Sequence, residues 1–371
     1  MKLKSFLQAF GIIAVILSLF PFVAADYWWI RIFDYPHVQL TILTLVALLV
    51  YFFRFNIRSW RDYAFIIILG ACFFLQITKI YPYTPFAPKQ VGRNSMIDSK
   101  GTISILASNV LQKNDKYDKV LEEVLLRNPD LLVFTETDKK WMNELRKGIK
   151  DFGYNYHLET PLDNTYGMLL YSKLELINPQ VRFLLEDSIP SMHSRLKLRS
   201  GEIVELHVLH PTPPMPPHDA TSTDRDAQMM MVAKMVDSAK LPVIVAGDFN
   251  DVAWSESTSL FLKVSTLLDP RKGRGFFNTF HAKNWLMRWP LDHFFISKEF
   301  TLVDMEVGNN VGSDHFPLYA KIMLEPAKAK EQERPEPSQD DLDEADKQIE
   351  KEEKKDAKEK AEAETETETK N

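Results

Sequence analysis

Eight side chains, each beside a short apolar run, can bind a hard cation or move a proton. They are Asn109 in SNV, Glu136 in FTET, His210 in HVLHP, Asp248 and Asn250 in GDFND, Asp292 in LDHFF, and Asp314 with His315 in GSDHFPL. Carboxylates and amides offer oxygen ligands, which suit Mg2+, a hard ion that keeps several of its waters. Imidazole beside carboxylate is a pairing for proton transfer near neutral pH. Each group alone has a plainer use: Asn109 in a turn, Glu136 as a helix cap, Asp248 as a turn former in a Gly-Asp and Asn-Asp stretch, His315 as a cap. In this order and together they are hard to dismiss as separate turns and caps, and they make available the groups that neutralising an anionic centre and activating a water would need.

Elements that could carry them follow from the hydrophobic pattern. Residues 102–107 form a β-branched apolar run fit for a buried strand. Tyr117, Val120, Leu121, Val124 and Leu125 recur at helical spacing, with Asn114 or Asp115 as cap and Asn128-Pro129 as stop. Further strands are expected at 130–135, 167–171, 203–209, 241–246 and 291–296, with a helix over 222–238 whose methionines fill the core. The chemistry-bearing residues fall near the ends of these runs, where sheet proteins place their sites. His207 lies three before His210 on one strand and is expected to face the other way; His293 is expected to pack away from Asp292. His193, His218 and His281 have no motif around them, and none of these histidines shows the tight spacing of a zinc site.

The ordered set SNV, FTET, HVLHP, GDFND, LDHFF and GSDHFPL resembles the endonuclease/exonuclease/phosphatase superfamily, the group of deoxyribonuclease I, abasic-site endonucleases, sphingomyelinases and inositol-polyphosphate phosphatases. The resemblance covers about residues 101–323 and implies an α/β fold, a four-layer sandwich of two packed mixed sheets flanked by helices. It implies a metal site of Asn109, Glu136 and Asp314 for Mg2+ or Mn2+. Asp248 would orient or deprotonate the attacking water, with Asn250 holding the water or the phosphate. His315 would donate to a non-bridging oxygen and Asp292 would fix its tautomer, while His210 matches a second active-site histidine of the deoxyribonuclease and sphingomyelinase branches.

The first eighty residues have another character. Residues 6–25, 38–53 and 63–77 are apolar, and Tyr27, Trp28, Trp29, Trp60, Tyr63, Tyr81 and Tyr83 sit at their ends like interfacial belts. Three membrane spans are expected over residues 1–80; a cleaved first segment and a soluble helix hairpin are the competing readings. Lys2, Lys4, Arg54, Arg58 and Arg61 put the amino terminus and the second loop on the cytoplasmic side. The rest of the chain is then extracytoplasmic, held at the plasma (inner) membrane, with 81–100 as linker and 101–324 as catalytic domain. The single cysteine, Cys72, excludes a disulfide scaffold.

Net charge is −6, but residues 325–371 alone carry eighteen acidic and ten basic side chains, leaving the remainder slightly positive. The acidic balance therefore says nothing about the partners of the central domain. That tail is expected to be disordered, since it has little apolar surface to bury. The stretch PTPPMPP after His210 is expected to be stiff and extended, as a rigid connection or a wall of the site. Arg271, Lys272, Arg274, Phe276, Phe277, Trp285, Arg288 and Trp289 interleave cations with aromatics, a surface for a nucleic-acid strand, for lipid headgroups, or for neither. The expected activity is a membrane-anchored, metal-dependent phosphoesterase, foremost an endonuclease-like phosphodiesterase. The alternatives are a phospholipid or small-molecule phosphodiesterase, and a catalytically inactive membrane scaffold.

Overall fold

A computed structural model describes residues 2–22, 27–93, 98–185, 187–214 and 221–369. Contacts divide the chain into two units. One holds Met1–Pro88 with Pro214–Ser222 and Lys272–Gly275; the other holds the remainder.

The first unit contains α1 (Lys2–Leu19), a short α2 (Trp28–Arg31), α3 (His37–Tyr51) and α4 (Trp60–Ile80). Helices α1, α3 and α4 pack around Ala14, Ala47 and Leu69, small enough at two of three positions for close approach. Ser18, Thr44 and Gln76 form a buried polar contact between them. Two stretches, His37–Arg54 and Trp60–Tyr83, have the length and apolarity to cross a membrane; the apolar helix Leu3–Leu19 is shorter. The expectation of three clear spans is thus corrected to two candidates. The physical reason is Pro21, at which regular α-helix has already given way to a 3-10 turn over Phe20–Phe22.

The second unit is a four-layer sandwich. One sheet has the order β10-β11-β1-β2-β4-β3, the other β5-β6-β7-β8-β9. Its strands are β1 (Thr102–Asn109), β2 (Leu131–Thr135), β3 (Tyr156–Thr160), β4 (Met168–Ser172), β10 (Phe300–Val307) and β11 (Leu318–Leu324) in the first sheet. The second has β5 (Glu175–Phe183), β6 (Pro190–Lys197), β7 (Ile203–Leu209), β8 (Val243–Asp248) and β9 (Asp292–Ile296). Both are mixed: β1 runs parallel to β2 and β7 to β8, while the other pairs are antiparallel.

Three apolar clusters explain the layering. Ile103, Ile105, Val133 and Leu170 of the first sheet meet Leu206, Ile244, Ala246 and Phe294 of the second in a continuous core between the sheets. On the outside of the first sheet, Leu106, Leu132 and Phe134 pack under α5 (Tyr117–Arg127) and α6 (Lys139–Ile149) through Val120, Val124, Trp141 and Leu145. Residues 105 and 106, or 132 and 133, serve opposite faces, as strand alternation requires. On the outside of the second sheet, Val245 and Phe295 pack under α7 (Thr223–Asp237) and α8 (Glu256–Ser265), with Met229, Met230 and Phe261 as filler.

The carboxy-terminal segment departs from its expected disorder. Gln339–Thr369 forms α9, and Leu342, Ala345 and Ile349 add to the cluster beneath α7 and α8. Ion pairs Lys263–Asp341, Lys234–Asp346 and Lys355–Asp224 hold it there. Overall composition hid this because the few apolar residues of 342–349 recur at helical spacing on one face. The expected linker 81–100 begins with a 3-10 turn over Tyr81–Tyr83, and Met215–Pro217 of the proline-rich stretch, with His218, lie outside the described residues.

Candidate active site

Strand direction brings the predicted side chains to one rim. Asn109 ends β1 and Asp248 ends β8; Glu136 and His210 follow immediately after β2 and β7. Asp292 opens β9, which runs antiparallel to β8 with Asp248 facing Asp292 in register. Asp314 and His315 lie just before β11, itself antiparallel to β1. Carboxyl ends of the parallel pairs and amino ends of their antiparallel neighbours are the same edge of the sandwich.

Two glycines permit the close backbone approach this edge needs. A Cβ on Gly167 would lie 1.8 Å from the carbonyl oxygen of Thr137, next to Glu136. A Cβ on Gly247 would lie 2.0 Å from that of Leu209, and Gly247 has φ +138°. Glu136 and Asn250 themselves adopt left-handed backbone, φ 58° and 49°. Non-glycine residues held in that region recur at functional sites.

Hydrogen bonds tie the groups together across the two sheets. The side-chain Nδ2 of Asn109 donates to Glu136 Oε1 at 2.7 Å and to Asp248 Oδ2 at 2.9 Å. Its Oδ1 accepts from the Leu111 amide, so Asn109 serves the two carboxylates as a shared donor. Asp248 Oδ1 accepts from the Asn250 amide at 3.0 Å. His210 Nδ1 lies 3.3 Å from the Asp248 carbonyl and 3.8 Å from its carboxylate. Asn250 Nδ2 donates to the Pro211 carbonyl at 2.9 Å and so joins the loop after β8 to the loop after β7.

His315 is the electrostatic centre. Its Nδ1 meets Asp292 Oδ2 at 2.8 Å, and its Nε2 lies 3.7 Å from Asp248 Oδ2. Burial alone would lower the imidazole pKa, but Asp248 and Asp292, with a smaller effect of Asp314, outweigh it and push it up to about 10. Asp292 is itself raised, by burial first and then by Asp248, despite His315. The pair shares a proton, and we place it on His315, which has two carboxylates around it. The Asp292 amide donates to Thr279 Oγ1 at 3.2 Å, and the rings of Phe280 and His315 lie 5.1 Å apart.

Among the described residues, Asp248, Asp292 and His315 are the acidic and imidazole groups close enough to share a cation. His315 Nδ1 is already committed to Asp292, so this trio fits a hydrogen-bonded acid–base unit better than a ligand set. Glu136 Oε2 meets only a long 3.4 Å contact from the Gln112 amide. With Asp314 half-buried on the same rim, the oxygen-only donor set suits a hard divalent ion. Asp314 reaches this cluster through its field on His315; its carbonyl accepts from Ala282 and its carboxylate from the Ser313 hydroxyl.

The family comparison agrees with the geometry. The sequence profile of the Endonuclease/Exonuclease/phosphatase family matches residues 101–315. The chain belongs to that family. A UPF0294 protein of Vibrio campbellii is 22% identical over 292 residues, which cover 70% of this chain and 95% of the relative. Among solved structures, the human Nocturnin catalytic domain with bound sulfate shares 18% identity over 62% of this chain and 96% of its own, with a TM-score of 0.50. D. rerio TDP2 complexed with single-strand DNA product shares 17% over 60% of this chain and 98% of its own, also with a TM-score of 0.50. At these identities the structural likeness shows the shared fold.

Outside the rim, His193, His207 and His293 have structural partners. His207 and His193 face each other on the outer surface of the second sheet, Nδ1 to Nδ1 at 2.7 Å. Burial lowers their pKa values to about 4 and about 3. His293 is fully buried, and burial with Arg271 holds it well below the usual histidine value. Of the interleaved cations and aromatics, Arg271 is buried against Asp269 and Trp289 is buried too, while Trp285 is exposed, as are its neighbours Leu286 and Met287. Sequence reading missed Arg225, a buried arginine that donates to the Asn250 carbonyl at 3.1 Å and pairs with Asp251 at 3.3 Å. Nothing in TDRDA distinguishes it from a solvated helix start.

Proposed function

We propose that the protein is a metal-dependent phosphodiesterase that attacks its substrate with an activated water. The observation that carries this is the joined cluster Glu136–Asn109–Asp248 and Asp248–His315–Asp292. Glu136, Asp314 and the Oδ1 of Asn109 would hold Mg2+ or Mn2+, which neutralises phosphate charge when bound. Asp248, fixed by Asn109 and the Asn250 amide, is placed to orient a water or take its proton. His315, charged and held by Asp292, donates to a non-bridging oxygen where negative charge develops. His210 borders the same space beside Tyr166, their rings 5.7 Å apart, and is assigned to binding the phosphate.

For substrate we favour nucleic acid, on the HVLHP, GDFND and GSDHFPL elements and on the single-strand DNA seen with the TDP2 structure. The exposed Trp285, Leu286 and Met287, beside Lys283 and Arg288, give specific support to a second reading, an amphiphilic phosphodiester. The stretches 37–54 and 60–83 support a membrane anchor, and the basic residues at 54, 58 and 61 support an extracytoplasmic catalytic domain. A reporter fused after residue 324 tests that orientation.

The deciding experiment is hydrolysis by the purified chain, with and without Mg2+ or Mn2+, of supercoiled DNA, single-stranded nucleic acid, sphingomyelin and a bis-aryl phosphodiester. Metal-dependent cleavage that disappears in Asp248→Ala and His315→Ala is expected, and the best substrate chooses between the two readings. Full turnover by Asp248→Ala would sink the mechanism.

A further inference from the structure

Behind the rim, on the side away from solvent, lies a second polar chain that the proposed reaction does not use. Asp269, Arg271 and His293 each have no exposed surface, and Asp251 has almost none. Arg271 donates from Nε and Nη2 to the two oxygens of Asp269 at 2.9 and 2.7 Å. Its Nη2 also meets His293 Nδ1 at 2.5 Å, and its Nη1 reaches the Asp292 carbonyl at 3.5 Å. Because Nδ1 of His293 accepts, its Nε2 carries the proton and donates to the Asp251 carbonyl at 2.8 Å.

The two ends of this chain are the two halves of the acid–base unit. Asp251 closes the loop that begins at Asp248, reverses at the left-handed Asn250, and supplies the amide holding Asp248 Oδ1. Asp292 begins β9 and holds His315. A buried ion pair is weak evidence for stability, because desolvation consumes most of the Coulomb gain. An arginine fork spanning a carboxylate, an imidazole and a carbonyl nevertheless fixes their mutual positions.

We infer that Arg271 and His293 are positioning residues that lock the Asp248–Asp251 loop to the start of β9, and thereby set the spacing of Asp248, His315 and Asp292. The inference rests on the phosphodiesterase reading for its kinetic consequence. The separation it controls, 3.7 Å between Asp248 Oδ2 and His315 Nε2, is just beyond hydrogen-bond length, so small loop shifts change it in proportion. Misplacement of reacting groups by ~1 Å costs on the order of a hundredfold in rate.

The test is His293→Asn in the full chain. Asn presents an acceptor where Nδ1 stood, so Arg271 keeps its partner, but it is too short to reach the Asp251 carbonyl. With bis-aryl phosphodiester and saturating Mg2+, kcat should fall roughly ten- to hundredfold while KM and the Mg2+ requirement stay put. Hydrogen exchange should quicken at residues 249–252 and not elsewhere in the two sheets. His293→Gln, whose amide reaches one bond farther, should restore most of the lost kcat. Should the Asn variant fail to fold, Arg271→Lys keeps charge beside Asp269 without the fork and should give the same split. Wild-type kcat with unchanged exchange at 249–252 would overturn the inference. So would a loss of protection spread over both sheets, the signature of a merely structural ion pair. If the wild-type chain hydrolysed no phosphodiester, the functional reading would fall, and the exchange measurement would still decide this one.

Discussion

Replacing Asp292 with asparagine removes one negative charge and changes almost nothing in shape. In the native site its Oδ2 accepts from His315 Nδ1 at 2.8 Å, and both residues are buried. A hydrogen bond to a charged partner contributes about 1.5–3 kcal/mol. If that stabilisation is felt fully in the transition state, its loss slows turnover about ten- to 150-fold. The sign of the pH effect follows from the same contact. Asp248 and Asp292 together hold the His315 pKa up at about 10; with Asp292 neutral, the imidazole loses its proton at lower pH. The alkaline limb of the kcat profile therefore moves acidward in Asp292→Asn. Folding responds differently, because the pKa of Asp292 is raised by burial and by Asp248. A group raised in the folded state opposes folding when ionised, but asparagine at 292 also leaves the buried imidazolium without its charged acceptor, which costs more, so the variant should unfold at a lower temperature than the wild type. The assay is metal-dependent hydrolysis of a bis-aryl phosphodiester across pH, beside thermal unfolding. An alkaline limb that stays fixed, or kcat within threefold of wild type by the same ~1.4 kcal/mol-per-decade scale, would refute the assignment of the charge to His315.

Asn109→Ala strips a shared donor from Glu136 and Asp248, and should cost about one to two decades of kcat at saturating Mg2+; unchanged steady-state kinetics would count against the cluster. Gly247→Ala places a Cβ 2.0 Å from the Leu209 carbonyl at φ +138°, and should destabilise by at least about 1–3 kcal/mol, read as a lower midpoint in urea. Docking of α9 should depend on pH through Glu352, whose pKa is pushed up to about 8 by burial first and Asp224 next. A carboxyl raised in the docked state favours docking fully below its ordinary value of 4.5 and loses that contribution as pH rises through 8. Amide exchange in 339–352 should accordingly be faster at about pH 9 than at about pH 6 after correction for intrinsic rates, and Glu352→Gln should erase the difference.

Much of this site was legible because its residues sit next to runs that can only be buried strands. LASN, LLVFTE, VLHP and VAGDFN each pass from apolar to polar at one point, and that point is the sheet edge. The strands at 102, 131, 168, 203 and 243 were placed within two residues of where they begin. Of those missed, β3, β5 and β10 expose part of one face and β6 buries Ser191, His193 and Ser194, while β11 is buried apart from a half-buried Lys321 that interrupts its apolar run. The sequence of β5, ELINPQVRF, contains Asn178-Pro179 at a register shift and shows no clean alternation. Three spans were expected where two helices qualify, since apolar composition alone does not show where Pro21 ends a helix. Arg225, Arg271 and His293 were illegible as supports: their roles depend on partners 20 or more positions away, as with Arg271 and His293 or Arg225 and Asn250. Long-range pairing of this kind leaves no local pattern.

The Asn109–Asp248 hydrogen bond crosses from one sheet to the other, and the second sheet is an uninterrupted stretch of chain set inside the first. Neither sheet carries a complete set of reactive groups. Until the two faces close on their common core, Glu136, Asp314 and His315 lie on one piece and His210, Asp248 and Asp292 on the other. The proposed reaction, needing both sets, would then carry its own safety catch: competence would appear with completion of the fold and be lost as soon as the sheets part.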